Sequence, residues 1–493
     1  MLLSGMATIG AFLLLGLGAK SEKQSPLFII GGFAAFALAI YWHVLNYSFL
    51  LPATAAISGE IGIGFLLLAG MLSKQQKPAR SYFFLGAVSL GIAVFLLVGI
   101  KFTSQIDASE KVTYLVELGP DDTIEEITSL ISQHRATAER AFPSIELSED
   151  EDLSQVYLVY VSASNANALV DGLRADVENV DNVELNFNVS LDEPTSPSNE
   201  TSFEDTILEN DPLASSQWAL NAINGHAAHA VLKDISPVRK ARVAILDTGV
   251  DASHEDVAQT FSGSPAVTDL HGHGSHCAGI AGAFTNNGIG MASLNWEGRF
   301  IDIMGYQALN KQGTGSIEMI SQAIIDATKD HADVISMSLG AKAETPKVIK
   351  DAIAYARKNR VIVIASAGNS NEDAIDHMPS SVEGVIVVSA VDENLRKAKF
   401  SNTNMSLKRP ITAPGVNILS LKTGGGYVQM SGTSMSTPVV SGLVGIMRAL
   451  NPDISEDEVY SILEGTGQKV KESNKIGKLI DSNAAIEAVL KGL

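Results

Sequence analysis

The stretch RVAILDTGVD, residues 242–251, decides how the rest of the chain reads. Val243 to Leu246 are apolar without alternation, which describes a strand buried on both faces. The run leads straight into Asp247, and Gly249 lets the backbone turn sharply just beyond it. Runs of the same kind recur at 332–336 (ADVIS), 361–365 (VIVIA) and 385–389 (VIVVS), separated by helical stretches. One of those stretches, 316–330, sets Ile317, Ile320, Ile324 and Ala327 along one stripe. The alternation predicts an α/β fold, a parallel sheet with helices on both faces. In such folds chemistry gathers at the carboxyl ends of the strands. Asp247 is expected at one of those ends, where a carboxylate can orient a histidine ring.

Three other stretches carry side chains suited to chemistry. LHGHGSHCAG, residues 270–279, packs His271, His273, His276 and Cys277, the chain's only cysteine, into seven positions. Those four could bind zinc if they converged tetrahedrally, or one imidazole could serve as an acid–base group. In SGTSMSTP, residues 431–438, Ser434 lies just before the helical run VVSGLVGIMRAL, with Pro438 placed for its first turn. Unsatisfied backbone N–H groups and the helix dipole would there stabilise negative charge on a carbonyl oxygen. SAGN, residues 366–369, follows VIVIA directly, so the Asn369 amide can donate a hydrogen bond at a strand end. Taken singly, each has an ordinary reading as a strand-end aspartate, a helix-capping serine or a turn asparagine.

Taken together, DTGVD, HGHGSHCAG, SAGN and GTSMSTP resemble the subtilisin-like serine peptidases, the subtilase family, which share this Asp, His, Ser order. The resemblance covers about residues 208–493, including NDPLASSQWALNAIN at 210–224 and TAPGVNI at 412–418. It implies a subtilisin-like fold and a triad of Asp247, His273 and Ser434, with Asn369 in the oxyanion hole. His276 then takes a structural role, and no metal site is expected in this stretch. Cys277 resembles the cysteine beside the catalytic histidine of proteinase K-like members, a thiol that is not the nucleophile. Ser338, Leu339 and Gly340, with Gly313 and Gly315, would be the two backbone edges between which an extended protein substrate pairs. Ser436 and Val439 depart from the family, which usually has Ala and His there. No cofactor is expected. A structural calcium ion is compatible with the family, but no ligand set for it is readable. Glu372, Asp373 and Asp376 should border the specificity pocket, suggesting a basic residue before the cut.

The expected domains are a membrane block at 1–101, a small α+β domain at 102–191, a linker at 192–210 and the peptidase at 211–493. Residues 2–19, 27–45, 53–72 and 82–100 are apolar runs of bilayer-spanning length, about 20 residues each. Lys20 and Lys23 follow the first run, and Lys74, Lys77 and Arg80 follow the third, whereas NYSFLLP after the second has no basic residue. Basic loops stay cytoplasmic, so four spans leave the N-terminus and the peptidase outside the cytoplasm. A cleaved signal peptide at 1–19 fits less well, because no basic residue precedes its apolar stretch. Glu60 within the third run reads as a carboxyl buried between helices more readily than as a functional group.

Strand, helix, strand, helix, strand at 112–118, 123–134, 156–162, 165–177 and 183–189 suit a ferredoxin-like domain. It resembles the inhibitory propeptide of subtilases, its final strand blocking the cleft, with self-cleavage between about Leu191 and Asp211. The polar run DEPTSPSNETSFED, 192–205, reads as the linker. Residues 1–101 carry six basic and two acidic residues against a total of −20, so the remainder carries −24. That acidity argues against a nucleic-acid partner, and one cysteine makes no internal disulfide. The expected partners are protein substrates, the membrane and the chain's own propeptide. A silent peptidase-fold scaffold and a membrane sensor are the alternatives.

Overall fold

The structure, a computed structural model, describes residues 111–191, 208–262 and 268–492. The four apolar runs and the 192–205 linker lie outside the described residues. Among those described, no helix is long and apolar enough to cross a membrane.

The first body is a four-stranded antiparallel sheet: β1 (Lys111–Leu118), β2 (Thr137–Arg140), β3 (Val156–Ser162) and β4 (Val180–Leu185), in the order β2-β3-β1-β4. Helices α1 (Ile124–Gln133) and α2 (Ala163–Ala175) cover one face. Thr123 and Glu126 close a capping box at the start of α1, and Ile127 and Ile131 pack with Leu169 and Leu173 of α2 over Val116 and Val159. Leu115, Val156 and Leu158 point the other way, into a core shared with the second body. Two features differ from the sequence reading. β2, TAER, is a short charged edge strand without an apolar signal. The last strand ends at Leu185, and the chain then leaves this sheet as β5 (Asn188–Ser190) to pair elsewhere.

The second body is built on six parallel strands. These are β6 (Ala241–Asp247), β7 (Ile301–Gln307), β9 (Val334–Met337), β11 (Ile362–Ser366), β13 (Ile386–Val391) and β14 (Pro410–Pro414), ordered β14-β13-β11-β9-β6-β7. Short strands β8 (Thr314–Ser316), β10 (Ala341–Lys342) and β12 (His377–Met378), and the hairpin β15 (Ile418–Leu421) with β16 (Tyr427–Met430), lie around it. Its main helices are α3 (Gly225–Leu232), α4 (His273–Gly282), α5 (Ile317–Lys329), α6 (Lys347–Lys358) and α7 (Thr433–Leu450). In β6, Val243 and Ile245 enter the core beneath α3, α4 and α7, while Ala244 and Leu246 enter the one beneath α5 and α6. Both faces of the strand are therefore dry, which is why its sequence does not alternate.

From β6 the chain crosses to β7 on one side, and then adds β9, β11, β13 and β14 on the other. The winding reverses beside β6, and Asp247 is its last residue. Crevices for ligands open at such a reversal.

Candidate active site

Helix α4 begins against the carboxyl end of β6, and glycine makes that approach feasible. A Cβ on Gly274 would lie 2.1 Å from the Gly249 carbonyl oxygen, so any side chain there would push the helix away. The contact brings His273 Nδ1 to 2.8 and 2.9 Å from the two oxygens of Asp247, with both side chains fully buried. A carboxylate accepts, so Nδ1 carries the proton and Nε2 is the basic nitrogen of the neutral ring. The Thr248 N–H donates to Asp247 Oδ1 at 2.7 Å, fixing the carboxylate in turn.

A residue absent from the sequence reading holds this corner together. The buried Asp269 carboxylate accepts from the backbone of His271, Gly272 and Ser275 at 2.8–3.0 Å. It also accepts from the hydroxyls of Ser275 and Thr248, at 2.7 and 2.9 Å. One side chain thereby ties the first turn of α4 to the end of β6. The only signal in the sequence is an aspartate just ahead of a helix start, which is common.

Ser434 is the second residue of α7. Pro438 is the sixth residue of that helix rather than part of its first turn. Lacking an N–H, it cannot bond the carbonyl four residues earlier, which is that of Ser434. The orphaned oxygen accepts instead from Ser338 Oγ at 2.7 Å and from Cys277 Sγ at 3.5 Å. Ser434 Oγ itself donates to the Ser338 carbonyl at 3.3 Å. The Cys277 sulfur lies within 4.8 Å of the facing Asp247 and His273 atoms, so the start of α7 sits beside the His–Asp pair. The departures are absorbed by packing. Ser436 Oγ donates to the carbonyls of Ala413 and Pro414 at 3.1 Å each, and Val439 is buried in the core.

Asn369 follows β11. Its Oδ1 accepts from both the N–H and the hydroxyl of Thr433, each at 2.9 Å. The N–H can only donate, so the amide orientation is fixed and Nδ2 is its donor end. Ser434 and Asn369 border one cavity of about 260 Å³ together with Ser338, Leu339 and Gly340. Met378 and Ala341 give it apolar wall, and among the described residues lining it Lys342 is the one fully charged side chain. Glu372, Asp373 and Asp376 do not line it. Glu372 pairs outward with Lys342, and Asp373 accepts from the Ile375 N–H at 3.0 Å. The three carboxylates expected to border the specificity pocket are thus absent from this lining, with Glu372 and Asp373 spent on local contacts.

The Gly313–Gly315 edge is occupied from within the chain. β5 pairs antiparallel with β8, setting Val189 opposite Gly315 and Ser190 opposite Thr314, and the Leu191 N–H donates to the Gly313 carbonyl at 2.9 Å. Ser190 and Leu191 reach the cavity that holds Ser434. Gly315 is needed at its place, since a Cβ there would lie 2.0 Å from the Ala308 carbonyl oxygen.

The zinc set considered for the histidine-rich stretch is not assembled. His276 Nε2 faces the carbonyls of Ile418 and Val428 at 3.0 and 3.1 Å, clasping the β15–β16 hairpin to α4. Burial, with His273 nearby, pushes its pKa down to about 3, so it stays neutral. His271 is exposed.

The subtilase family profile matches residues 239–478. The chain is 37% identical to a thermophilic serine proteinase of Bacillus sp. strain AK1 over 252 residues, which are 49% of this chain and 61% of that protein. It is 33% identical to subtilisin DY of Bacillus licheniformis over 256 residues, covering 50% of this chain and 90% of that one. With M-protease of Shouchella clausii it shares 29% identity over 401 residues, 79% of this chain and 96% of the relative. A solved protease structure from Pseudoalteromonas arctica superposes with a TM-score of 0.50 at 26% identity, covering 57% of this chain and 99% of that one. The chain belongs to the subtilase family and is a serine endopeptidase.

Proposed function

We propose that the chain cuts extended protein segments outside the cytoplasm, with Ser434 as nucleophile, His273 as general base and Asp247 as the group that orients it. The observation carrying this reading is the buried Nδ1–carboxylate pair at the strand end beside the first turn of α7. Ser434 Oγ attacks the peptide carbonyl carbon while its proton passes to His273 Nε2. Asn369 Nδ2 and the Ser434 N–H donate to the resulting oxyanion. His273 then protonates the leaving amine, and a water repeats the sequence on the acyl-enzyme. Substrate backbone pairs along Gly313–Gly315 and Ser338–Gly340, which reads main chain rather than side chains. The apolar wall from Met378 and Ala341 favours a hydrophobic residue before the cut. Replacing Asn369 by Ala is expected to lower kcat toward a peptide substrate by about 10²–10³-fold with little change in KM. An unchanged kcat would remove Asn369 from the oxyanion site.

The small body acts as an internal inhibitor. Its supports are β5, which lies where substrate backbone would pair, and the 401-residue match to M-protease, which is too long to be confined to residues 211–493. Self-cleavage falls between about Leu191 and Asp211. Glu184 accepts from the Lys347 N–H at 2.6 Å and the Val348 N–H at 3.4 Å, placing its charge at the N-terminus of α6, where the dipole favours it. The four apolar runs tether the chain to a membrane.

Release of the inhibitor depends on pH through Glu117. Burial pushes this carboxyl from 4.5 up to about 7, against the pull of Lys347 Nζ at 2.7 Å. A carboxyl whose pKa is raised on docking takes up a proton as it docks. The docked state is thus most favoured below about 4.5 and loses ground as pH rises through about 7. Activity after self-cleavage should appear faster toward neutral pH, by at most about tenfold per pH unit for this one proton. Glu117→Gln should flatten that dependence; a profile unchanged in the variant would assign it to other groups.

A further inference from the structure

Separate from the catalytic pair, Glu209, His226 and His229 bring one carboxylate and two ring nitrogens within 4.8 Å of one another. Glu209 lies in the first described segment after the linker, and the histidines are three apart on α3, on one face of the helix. His226 Nδ1 is 2.9 and 3.0 Å from the two Glu209 oxygens, and His229 Nδ1 touches Oε1 of the same carboxylate. The Glu209 and His229 side chains are fully buried, and His226 is 17% exposed.

Protonation decides what this cluster can be. His229 Nε2 lies 2.6 Å from the Ser293 carbonyl oxygen, which only accepts, so Nε2 carries a proton. In the neutral ring Nδ1 is then a bare lone pair, and it faces a carboxylate oxygen that is also an acceptor. A single proton, on His229 Nδ1 or on the carboxyl, would bridge that one contact and leave His226 to its own. One divalent cation satisfies both rings and the carboxylate at once. The bond from Nε2–H to a backbone carbonyl is the outer-shell contact that orients a metal-bound histidine.

We propose that Glu209, His226 and His229 form a site for a zinc-class divalent cation, bound through two Nδ1 atoms and one carboxylate oxygen. Two nitrogens and one oxygen suit zinc and its neighbours rather than calcium or magnesium, which take oxygen ligands. Three protein ligands leave a fourth position for water. The ion clasps the chain that emerges from the linker onto α3 and, through Ser293, onto the loop ahead of β7. This role is structural and does not depend on the catalytic assignment.

The test uses the full chain carrying Ser434→Ala, which prevents self-digestion, stripped with chelator and titrated with Co²⁺ and then Zn²⁺. The expected result is one Co²⁺ per chain with the visible bands of a low-coordinate site, displaced by Zn²⁺, and a higher Tm in the loaded form. His226→Ala, at the least buried ligand, should weaken binding by at least about tenfold. X-ray absorption of the Zn²⁺-loaded unsubstituted cluster should show nitrogen and oxygen neighbours without sulfur, which guards against a variant that misfolds. Absence of stoichiometric binding, bands unchanged by His226→Ala, or sulfur in the shell, which would put the ion at Cys277, each overturns the proposal.

Discussion

Replacing Ser434 by Ala is expected to lower kcat/KM toward peptide substrates by a factor on the order of 10⁶, the size of the effect of losing the nucleophilic serine in subtilisin. The fold should persist. Ser434 makes its helix-terminal contacts through its carbonyl, which the variant keeps, while the 3.3 Å bond from Oγ to the Ser338 carbonyl is lost. The variant should also remain uncut in the 191–211 region, whereas the parent is expected to be cut there. Intact-mass analysis of the two side by side reads both effects. Equal masses for the two proteins would remove self-cleavage from the account, and comparable peptide hydrolysis would remove Ser434.

The second large effect is expected at Asp247. In Asp247→Asn the volume is kept, but an amide NH₂ can be presented to His273 Nδ1, leaving that nitrogen as acceptor and moving the ring proton to Nε2. A ring protonated at Nε2 cannot take a proton from Ser434. Loss of this orienting carboxylate is expected to cost about 10⁴ in kcat. KM should change little, since Asp247 is fully buried and outside the cavity lining. A loss of less than tenfold would mean that the 2.8 Å contact does not set the tautomer. Because both residues act on one step, the double variant with Ser434→Ala should be scarcely worse than Ser434→Ala alone.

The large sheet was legible because a strand dry on both faces announces itself as an uninterrupted apolar run, as Val243 to Leu246 do. Asp247 and Asn369 could be placed for the same reason, each following such a run. What the sequence hid is long-range. β2 carries its pairing in backbone bonds rather than in an apolar face, so TAER gives no pattern. β5 leaves one sheet for another body's edge, a choice fixed by what stands opposite it at Thr314–Ser316. The acidic residues expected to border the cavity do not line it, because Lys342 and the Ile375 N–H claim Glu372 and Asp373. Asp269 and the Glu209 cluster were missed because their meaning lies in partners brought near by folding. In sequence they are a single acid before a loop and two histidines among alanines.

The central claim is that the hydroxyl of Ser434 is made nucleophilic by the ring of His273. It is tested most directly by treating the parent and a His273→Ala variant with a fluorophosphonate and locating the adduct by tandem mass spectrometry. The account predicts one adduct, on Ser434, in the parent, and its loss in the variant at matched time and concentration. An adduct on another residue, or equal labelling of Ser434 in both proteins, would contradict it.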